Sequence, residues 1–185
     1  IGTGFIVDDA IVMIENIVHR EGLRVRDRPE SACLFSGGLD SFIGAIDLLE
    51  DGQAPLLVSH SWVPNVSGHQ NDCTSALRTQ YGAPRVRRLE SRIGFHKGII
   101  EGTASEDTER SRSFLFFSLA AFAASGFGMK DSPIFVPENG LISLNVPLDP
   151  LRLGSLSTRT THPHFMNSFN QLLAALKIPA HVENP

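Results

Sequence analysis

A chain of 185 residues is long enough for one domain with a sizeable core. Its hydrophobic share of 42% and charged share of 19% exclude an intrinsically disordered protein, because apolar surface is ample to offset the chain entropy lost on folding. The net charge of −4 excludes a protein whose whole surface binds nucleic acid. Cys33 and Cys73 are too few cysteines for a disulfide scaffold, so we expect a reducing, cytoplasmic location.

The first 20 residues are apolar, but Asp8, Asp9 and Glu15 interrupt them, which argues against a lone spanning helix. The segment Gly4–Ile17 resembles the fourth transmembrane helix of the resistance-nodulation-division efflux pumps, and the resemblance implies that Asp8 and Asp9 match the proton-relay aspartates of that family. A relay needs a surrounding helix bundle. We therefore assign the segment no transport function and interpret it as a fragment joined upstream of an unrelated domain. The alternative is an amphipathic helix of merely similar sequence.

Beyond a charged linker, short apolar runs alternate with helical segments, which divides the chain into an N-terminal segment over residues 1–29 and a domain over residues 30–185. Strands are predicted at Ala32–Phe35, Leu56–Ser59, Val86–Leu89 and Pro133–Val136. Helices are predicted at Asp40–Glu50, Gln70–Gln80, Glu106–Phe127 and residues 165–176, with a loop over Glu138–Thr161. Strands alternating with helices indicate an α/β fold, Rossmann-like, with an open and mostly parallel sheet covered by helices on both faces.

The segment most indicative of chemistry is Ser36-Gly37-Gly38-Leu39-Asp40-Ser41, which lies between the first predicted strand and the first predicted helix. Such a turn presents backbone N–H groups and a helix N-terminus to an anion. The glycines allow a phosphate to approach the backbone, and the two serines add hydroxyl donors. Asp40 would repel phosphate unless Mg²⁺ lies between them, so the motif favours a magnesium-bound polyphosphate over a plain loop.

The same residues, together with Leu34 and Phe35, resemble the pyrophosphatase loop (PP-loop) of the N-type ATP pyrophosphatases. The resemblance implies an adenine nucleotide alpha hydrolase-like fold and ATP with Mg²⁺ as the bound nucleotide. Members of this superfamily cleave ATP between the α and β phosphates and adenylate an oxygen of their substrate. Carried over to this chain, the resemblance makes Ser36–Ser41 the nucleotide loop, with Asp40 as metal ligand and catalytic residue.

Three further segments narrow the resemblance to the 7-cyano-7-deazaguanine synthase (QueC) family and to the QueC-like proteins of the Qat antiphage defence system. They are Arg110–Ala121, Val136–Leu148 and Gly154–Pro163, and the likeness extends over about residues 32–185. Glu183-Asn184-Pro185 looks like the start of a further family segment, so we expect the domain to be C-terminally incomplete. The resemblance implies an ATP-dependent ligase-like enzyme that activates a deazaguanine-type carboxylate or a protein partner.

One departure bears on the reaction. The 7-cyano-7-deazaguanine synthases have a cysteine-rich zinc cluster, which Cys33 and Cys73 are poorly placed to replace, so the nitrile-forming reaction is not expected. Adenylation with release of pyrophosphate is the preferred reaction. The alternative is a nucleotide-binding or scaffold subunit of a defence complex that does not turn over.

Candidate site residues outside the loop follow from position and resemblance. Arg112 is the second catalytic candidate, facing the triphosphate or the substrate carboxylate, and its alternative is a surface ion pair with Glu106 or Asp107. Ser59 and His60 end the second predicted strand, where relatives hold adenine.

Two further groups are assigned to the substrate. Glu138 and Asn139 follow the fourth strand; Glu138 would hold Mg²⁺ or recognise a guanine-like edge, and the alternative is a turn built on Asn139-Gly140. Arg159, together with the serines and threonines around it, would form an anion-binding loop. His162 would stack on the substrate or bond it, and the alternative is a metal pair with His164. Nucleic acid and membrane are not expected as partners.

Overall fold

The computed structural model describes residues 29–61, 64–93, 112–129, 131–143 and 161–185. Within them, five parallel strands form one sheet in the order β3-β2-β1-β4-β5. The strands are β1 (Ala32–Leu34), β2 (Leu56–His60), β3 (Arg87–Ser91), β4 (Ser132–Phe135) and β5 (Ala180–Glu183). The helices are α1 (Leu39–Glu50), α2 (Pro64–Tyr81), α3 (Arg112–Gly126), α4 (Gly140–Ser143) and α5 (Pro163–Ala175). The predicted Rossmann-like α/β fold is confirmed.

Helices cover both faces of the sheet because side chains along each strand point alternately to opposite faces. On one face, Cys33, Phe35 and Leu57 pack with α1 and α2 in one buried cluster. On the other face, Leu34, Val58 and their neighbours pack with α3 and α5 in a second cluster. Strands buried on both faces have nearly continuous apolar sequences, which is why they were recognisable from the sequence.

The apolar stretch Phe114–Met129 forms most of α3, and one side of it packs against the sheet, while Phe114 and Phe122 are exposed. Its small residues allow the helix to approach the strands closely, and Phe117, completely buried, contacts the rings of Phe165 and Phe169 on α5. The Phe117–Phe169 pair is edge-to-face, and pairs of this kind add about 0.5–1.5 kcal/mol beyond the burial of area. Among the described residues, no helix combines the length and the apolar character needed to cross a membrane.

The structure corrects several element boundaries. Strand β3 covers Arg87–Ser91 rather than Val86–Leu89, and β4 covers Ser132–Phe135 rather than Pro133–Val136. Helix α2 begins at Pro64, six residues before the predicted start, because proline is tolerated in a first helical turn. Strand β5 was not predicted, and the short helix α4 lies within a segment predicted to be loop.

Several predictions concern residues outside the described ranges. They include the N-terminal segment with Asp8 and Asp9, the first turns of the helix predicted to begin at Glu106, and the anion-binding loop that contains Arg159.

Candidate functional site

The strand order reverses beside β1, which pairs with β2 on one side and with β4 on the other. In open parallel sheets, ligands bind in the crevice at the carboxyl ends of the strands at such a switch point. The segment Ser36–Ser41 leaves the carboxyl end of β1, and Glu138 and Asn139 follow the carboxyl end of β4. The topology therefore brings the predicted nucleotide loop and two of the predicted substrate residues to one crevice.

The loop after β1 is a compact turn held by its own serines. The Ser36 and Ser41 hydroxyl oxygens lie 3.1 Å apart, and Ser41 Oγ donates to the Gly38 carbonyl at 2.9 Å. The Gly38 N–H donates to Ser36 Oγ at 3.3 Å. Gly37 has φ +80°, in the left-handed region that glycine adopts without a Cβ penalty. The turn thus depends on glycine at this position and on both hydroxyls.

Helix α1 begins directly in this turn, with Gly38 as its N-cap and without a side-chain cap hydrogen bond. The amides of Leu39, Asp40 and Ser41 belong to the first turn, where no intrahelical carbonyl is available to accept from them. Asp40 is half-buried in this turn, while Ser36 and Leu39 are exposed. Backbone donors, a helix dipole and a carboxylate are therefore adjacent at the mouth of the crevice.

Helix α1 also packs tightly on the segment that follows β4. A Cβ placed on Gly44 would lie 2.3 Å from the Cβ of Pro137, so only glycine permits this approach. The contact joins the helix that follows the loop to the chain one residue before Glu138. This contact fixes α1, which forms one wall of the crevice, relative to the segment after β4, which forms the other.

The end of β2 is tied to the end of β1. Ser59 Oγ donates to the Phe35 carbonyl at 2.9 Å in a buried position. The His60 imidazole is buried, with Nε2 3.0 Å from the Ile93 carbonyl and its ring in an edge contact with Phe116 at 6.0 Å. The side chains of Ser59 and His60 thus hold the edge of the sheet together, and their predicted contact with adenine stays a prediction.

Arg112 is the first residue of α3 and is exposed. It lies one turn before Phe116, and residues four apart share a face of a helix. Because Phe116 contacts His60 at the carboxyl end of β2, the first turn of α3 lies at the same edge of the sheet as the loop. This placement is compatible with an arginine directed to a nucleotide; the alternative partners Glu106 and Asp107 lie outside the described residues.

A buried polar network that sequence reasoning missed lies beneath the loop. Gln70, fully buried on α2, donates from Nε2 to the Ser36 carbonyl at 3.3 Å and to the His60 carbonyl at 3.2 Å. Arg88 donates to Gln70 Oε1 at 3.4 Å and pairs with Glu90 at 2.9 Å. Burial lowers the pKa of Arg88, and Glu90 opposes that shift. A glutamine in a polar helix gives no periodic signal, so the sequence did not indicate it.

The residue after β4 begins a second polar network. Glu138 Oε2 accepts a hydrogen bond from the hydroxyl of Thr161, whose oxygen lies 2.7 Å from Ser143 Oγ. Asn184 Nδ2 donates to Ser143 Oγ at 3.2 Å. Because the Thr161 hydrogen is directed to the carboxylate, Ser143 must donate to Thr161. Each hydroxyl in this network therefore donates in the direction of Glu138. Glu138 was predicted as a substrate residue and Thr161 as part of the anion-binding loop, whereas Ser143 and Asn184 were not predicted as site residues.

The remaining predicted residues border this network. Asn139 is exposed, and its carbonyl accepts from the Ser143 amide at 2.9 Å at the start of α4. The turn that was the alternative interpretation of Asn139-Gly140 is thus present as a short helix. His162 is the N-cap of α5, where its side chain accepts from the His164 amide at 3.2 Å. Among the described residues, no three His, Cys, Asp or Glu side chains form a potential metal cluster.

No protein-family model, curated protein or solved structure matches this chain. The likeness to the ATP pyrophosphatases therefore stays a prediction based on the residues quoted above. The functional interpretation depends on the chemistry and the geometry of the crevice itself.

Proposed function

We propose that this chain binds Mg·ATP with the loop Ser36–Ser41 and activates a carboxylate by adenylation, in the manner of the QueC-like ATP pyrophosphatases of antiphage defence. The observation that carries the proposal is the position of this loop. It leaves the central strand at the switch point of a parallel sheet and opens directly into the twelve-residue helix α1.

The residues of the loop fit the triphosphate and its metal. The Ser36 and Ser41 hydroxyls hold the turn in shape, the first turn of α1 supplies amide donors, and Asp40 supplies a hard oxygen ligand. Asp40 would hold Mg²⁺, which would neutralise phosphate charge when bound. Without a cation, the Asp40 carboxylate would oppose phosphate binding through like-charge repulsion. The donor set therefore favours magnesium-bound triphosphate over free phosphate.

The proposed reaction proceeds in two steps. A carboxylate oxygen of the acceptor attacks the α-phosphorus of ATP, the bond from that phosphorus to the α,β-bridging oxygen breaks, and pyrophosphate leaves with the electron pair. A nitrogen nucleophile then attacks the acyl carbon and displaces AMP. The protein's part is to position the triphosphate and to stabilise the charge that develops on it, through the loop amides and Arg112.

The network at Glu138 supports a separate acceptor side of the crevice. The Glu138 carboxylate is oriented by Thr161 through one oxygen, so the other oxygen can accept from N–H groups of a guanine-like ring. This chemistry agrees better with base recognition than with metal binding, because Thr161 already occupies one side of the carboxylate. Asp40 is then the metal ligand, and Glu138 is the base-recognising residue.

Isothermal titration with α,β-methylene-ATP, with and without Mg²⁺, tests the proposal. Asp40→Ala should weaken magnesium-dependent binding at least about tenfold, because a hard oxygen ligand next to phosphate is lost. Asp47→Ala is the matched control, since Asp47 is an exposed aspartate of the same helix, two turns further on. It should bind like the wild type. Equal affinity in the wild type and Asp40→Ala would reject the magnesium–triphosphate assignment.

Turnover is measured separately, as release of AMP and pyrophosphate with 7-deazaguanine carboxylates as acceptors. Release that depends on the acceptor supports the adenylating enzyme. If the protein binds the ATP analogue but releases no pyrophosphate from ATP with any acceptor or partner protein, the nucleotide-binding subunit is favoured instead.

A further inference from the structure

Gln70 connects three elements beneath the nucleotide loop. Its amide nitrogen donates one hydrogen to the Ser36 carbonyl and the other to the His60 carbonyl. A single side chain therefore joins the segment that follows β1 to the last residue of β2. A third contact is steric: a Cβ on Gly37 would lie 2.9 Å from Gln70 Cγ and 3.0 Å from its backbone nitrogen. The loop therefore rests directly on α2, with Gln70 making the closest contacts and Cys73 Sγ a longer one to the Gly37 carbonyl at 4.0 Å.

The orientation of the Gln70 amide is set from the other side. Arg88, whose side chain is only 6% exposed, donates to Gln70 Oε1, and an arginine can only donate. The opposite amide orientation would direct the two Gln70 hydrogens toward the guanidinium and the oxygen toward two carbonyls. Arg88 is in turn held by Glu90 at 2.9 Å and by Asn71 at 2.8 Å. Arg88 thus fixes the Gln70 amide so that its oxygen faces the guanidinium and its nitrogen faces the loop.

We propose that Gln70 is a positioning residue for the phosphates: its buried amide holds Ser36 and Gly37 in the conformation that presents the loop amides to the triphosphate. The inference rests on the proposed function and extends it to a residue outside the loop. Gln70 touches the loop at Ser36 and Gly37, and it touches the end of β2 through one hydrogen bond to the His60 carbonyl. Its loss should therefore weaken recognition of the triphosphate more strongly than recognition of adenosine, whose predicted contacts are at Ser59 and His60.

Gln70→Met tests this role, because methionine has a similar volume and cannot donate to the two carbonyls. Thr74→Val is the matched control. Thr74 is also buried, one turn further along α2, and its hydroxyl accepts from Arg88 at 3.3 Å and donates to the Gln70 backbone carbonyl at 2.7 Å rather than to the loop. Circular dichroism checks the fold of both variants. If Gln70→Met does not fold, Gln70→Asn replaces it, since a shorter amide cannot reach both carbonyls.

Two measurements are compared. Titrations with Mg·α,β-methylene-ATP and with adenosine should show a loss of about tenfold in affinity for the analogue and a smaller loss, below about threefold, for adenosine in Gln70→Met, with both affinities kept in Thr74→Val. In the nucleotide-free proteins, ¹⁵N relaxation should show order parameters at Gly37 and Gly38 falling from about 0.85 toward about 0.6 only in Gln70→Met.

The outcomes separate this inference from the proposed function. Unchanged analogue affinity and unchanged order parameters in Gln70→Met would overturn the role of Gln70 and leave ATP binding intact. An equal loss for the analogue and for adenosine would show a structural role only and would also overturn it. If the wild type itself does not bind the analogue, the proposed function fails, and the positioning role fails with it.

Discussion

The side chain of Asn184 pairs with both polar backbone groups of Glu138. The Glu138 amide donates to Asn184 Oδ1 at 3.1 Å, and Asn184 Nδ2 donates to the Glu138 carbonyl at 3.0 Å. These two hydrogen bonds extend the β4–β5 ladder past its last paired residues, Phe135 and Glu183. The Asn184 side chain takes the place that strand backbone would have there. Asn184, which lies 46 residues after Glu138 in the chain, therefore holds the candidate acceptor side of the crevice in place.

Asn184→Ala should release Glu138 without unfolding the sheet. Three hydrogen bonds are lost, two exposed ones with Glu138 and a part-buried one with Ser143, so we expect a decrease of about 1–3 kcal/mol in the free energy of unfolding, measured in urea. Amide hydrogen exchange at Glu138 should accelerate. His181→Ala, at an exposed position of β5, should change the stability by less than about 0.5 kcal/mol. Unchanged exchange at Glu138 in Asn184→Ala would show that the pairing does not order this segment.

Gly37→Ala and Gly52→Ala separate backbone strain from contact with Gln70. Both glycines have positive φ, +80° and +84°, so alanine costs about 1–2 kcal/mol at either site. A Cβ at Gly52 meets nothing within 4 Å, whereas one at Gly37 meets Gln70 at 2.9 Å. Gly37→Ala should therefore be the more destabilising in urea by at least about 1 kcal/mol, and it alone should lose binding of the ATP analogue. Equal stability losses would contradict the contact.

Glu138→Gln should affect the acceptor and not the nucleotide. The amide keeps the shape of the side chain but removes the negative charge and one acceptor oxygen. Binding of α,β-methylene-ATP should match that of the wild type, while pyrophosphate release with 7-deazaguanine carboxylates should fall at least about tenfold. Glu50→Gln, the same substitution at the C-terminal end of α1, is the control. A tenfold loss of nucleotide affinity in Glu138→Gln would place this carboxylate on the ATP side of the crevice instead.

The stability of the fold should fall at alkaline pH because of Cys33. Burial raises the pKa of its thiol to about 12, whereas an unfolded cysteine titrates near pH 8.5. Above about pH 8.5 the unfolded chain therefore loses a proton that the folded chain keeps, and the thiol's contribution to stability is lost as the pH rises toward about 12. The slope approaches about 1.4 kcal/mol per pH unit.

Urea unfolding of Cys33→Ala at pH 8, 9 and 10 checks this slope. The variant should be less sensitive to pH than the wild type, whatever its offset in stability. Tyr81, whose pKa is raised by its hydrogen bond to Glu50, is present in both proteins and cancels in the comparison. Parallel pH profiles would show that Cys33 does not contribute.

The central strands and the loop could be predicted because they are local features. Leu56–Val58 is a continuous apolar run, and Ser36–Ser41 combines glycines, hydroxyls and a carboxylate in six residues. Strand β5 was missed because only Val182 is buried in its four residues, so it has little apolar signal and is defined by pairing with β4. Strand β3 was displaced for a similar reason, since Arg87 and Arg88 occupy its first positions.

The supporting residues of the site could not be predicted because their partners are distant backbone groups. Gln70 bonds carbonyl oxygens, which every residue has, and neither Thr161 nor Asn184 stands near Glu138 in the sequence. Only the register of the sheet brings them together. The sequence therefore indicated the groups that would face a ligand, and the structure added the groups that hold them in place.

The contacts that assemble the crevice join residues 24, 34 and 46 positions apart in the chain. A ligand held by residues this far apart binds the native state and not the unfolded chain. By mass action it should stabilise the native state by about 2.7 kcal/mol at a hundredfold excess over its Kd. Thermal unfolding can therefore identify the acceptor without an assay of turnover, since a true acceptor should raise the Tm of the protein already saturated with the ATP analogue.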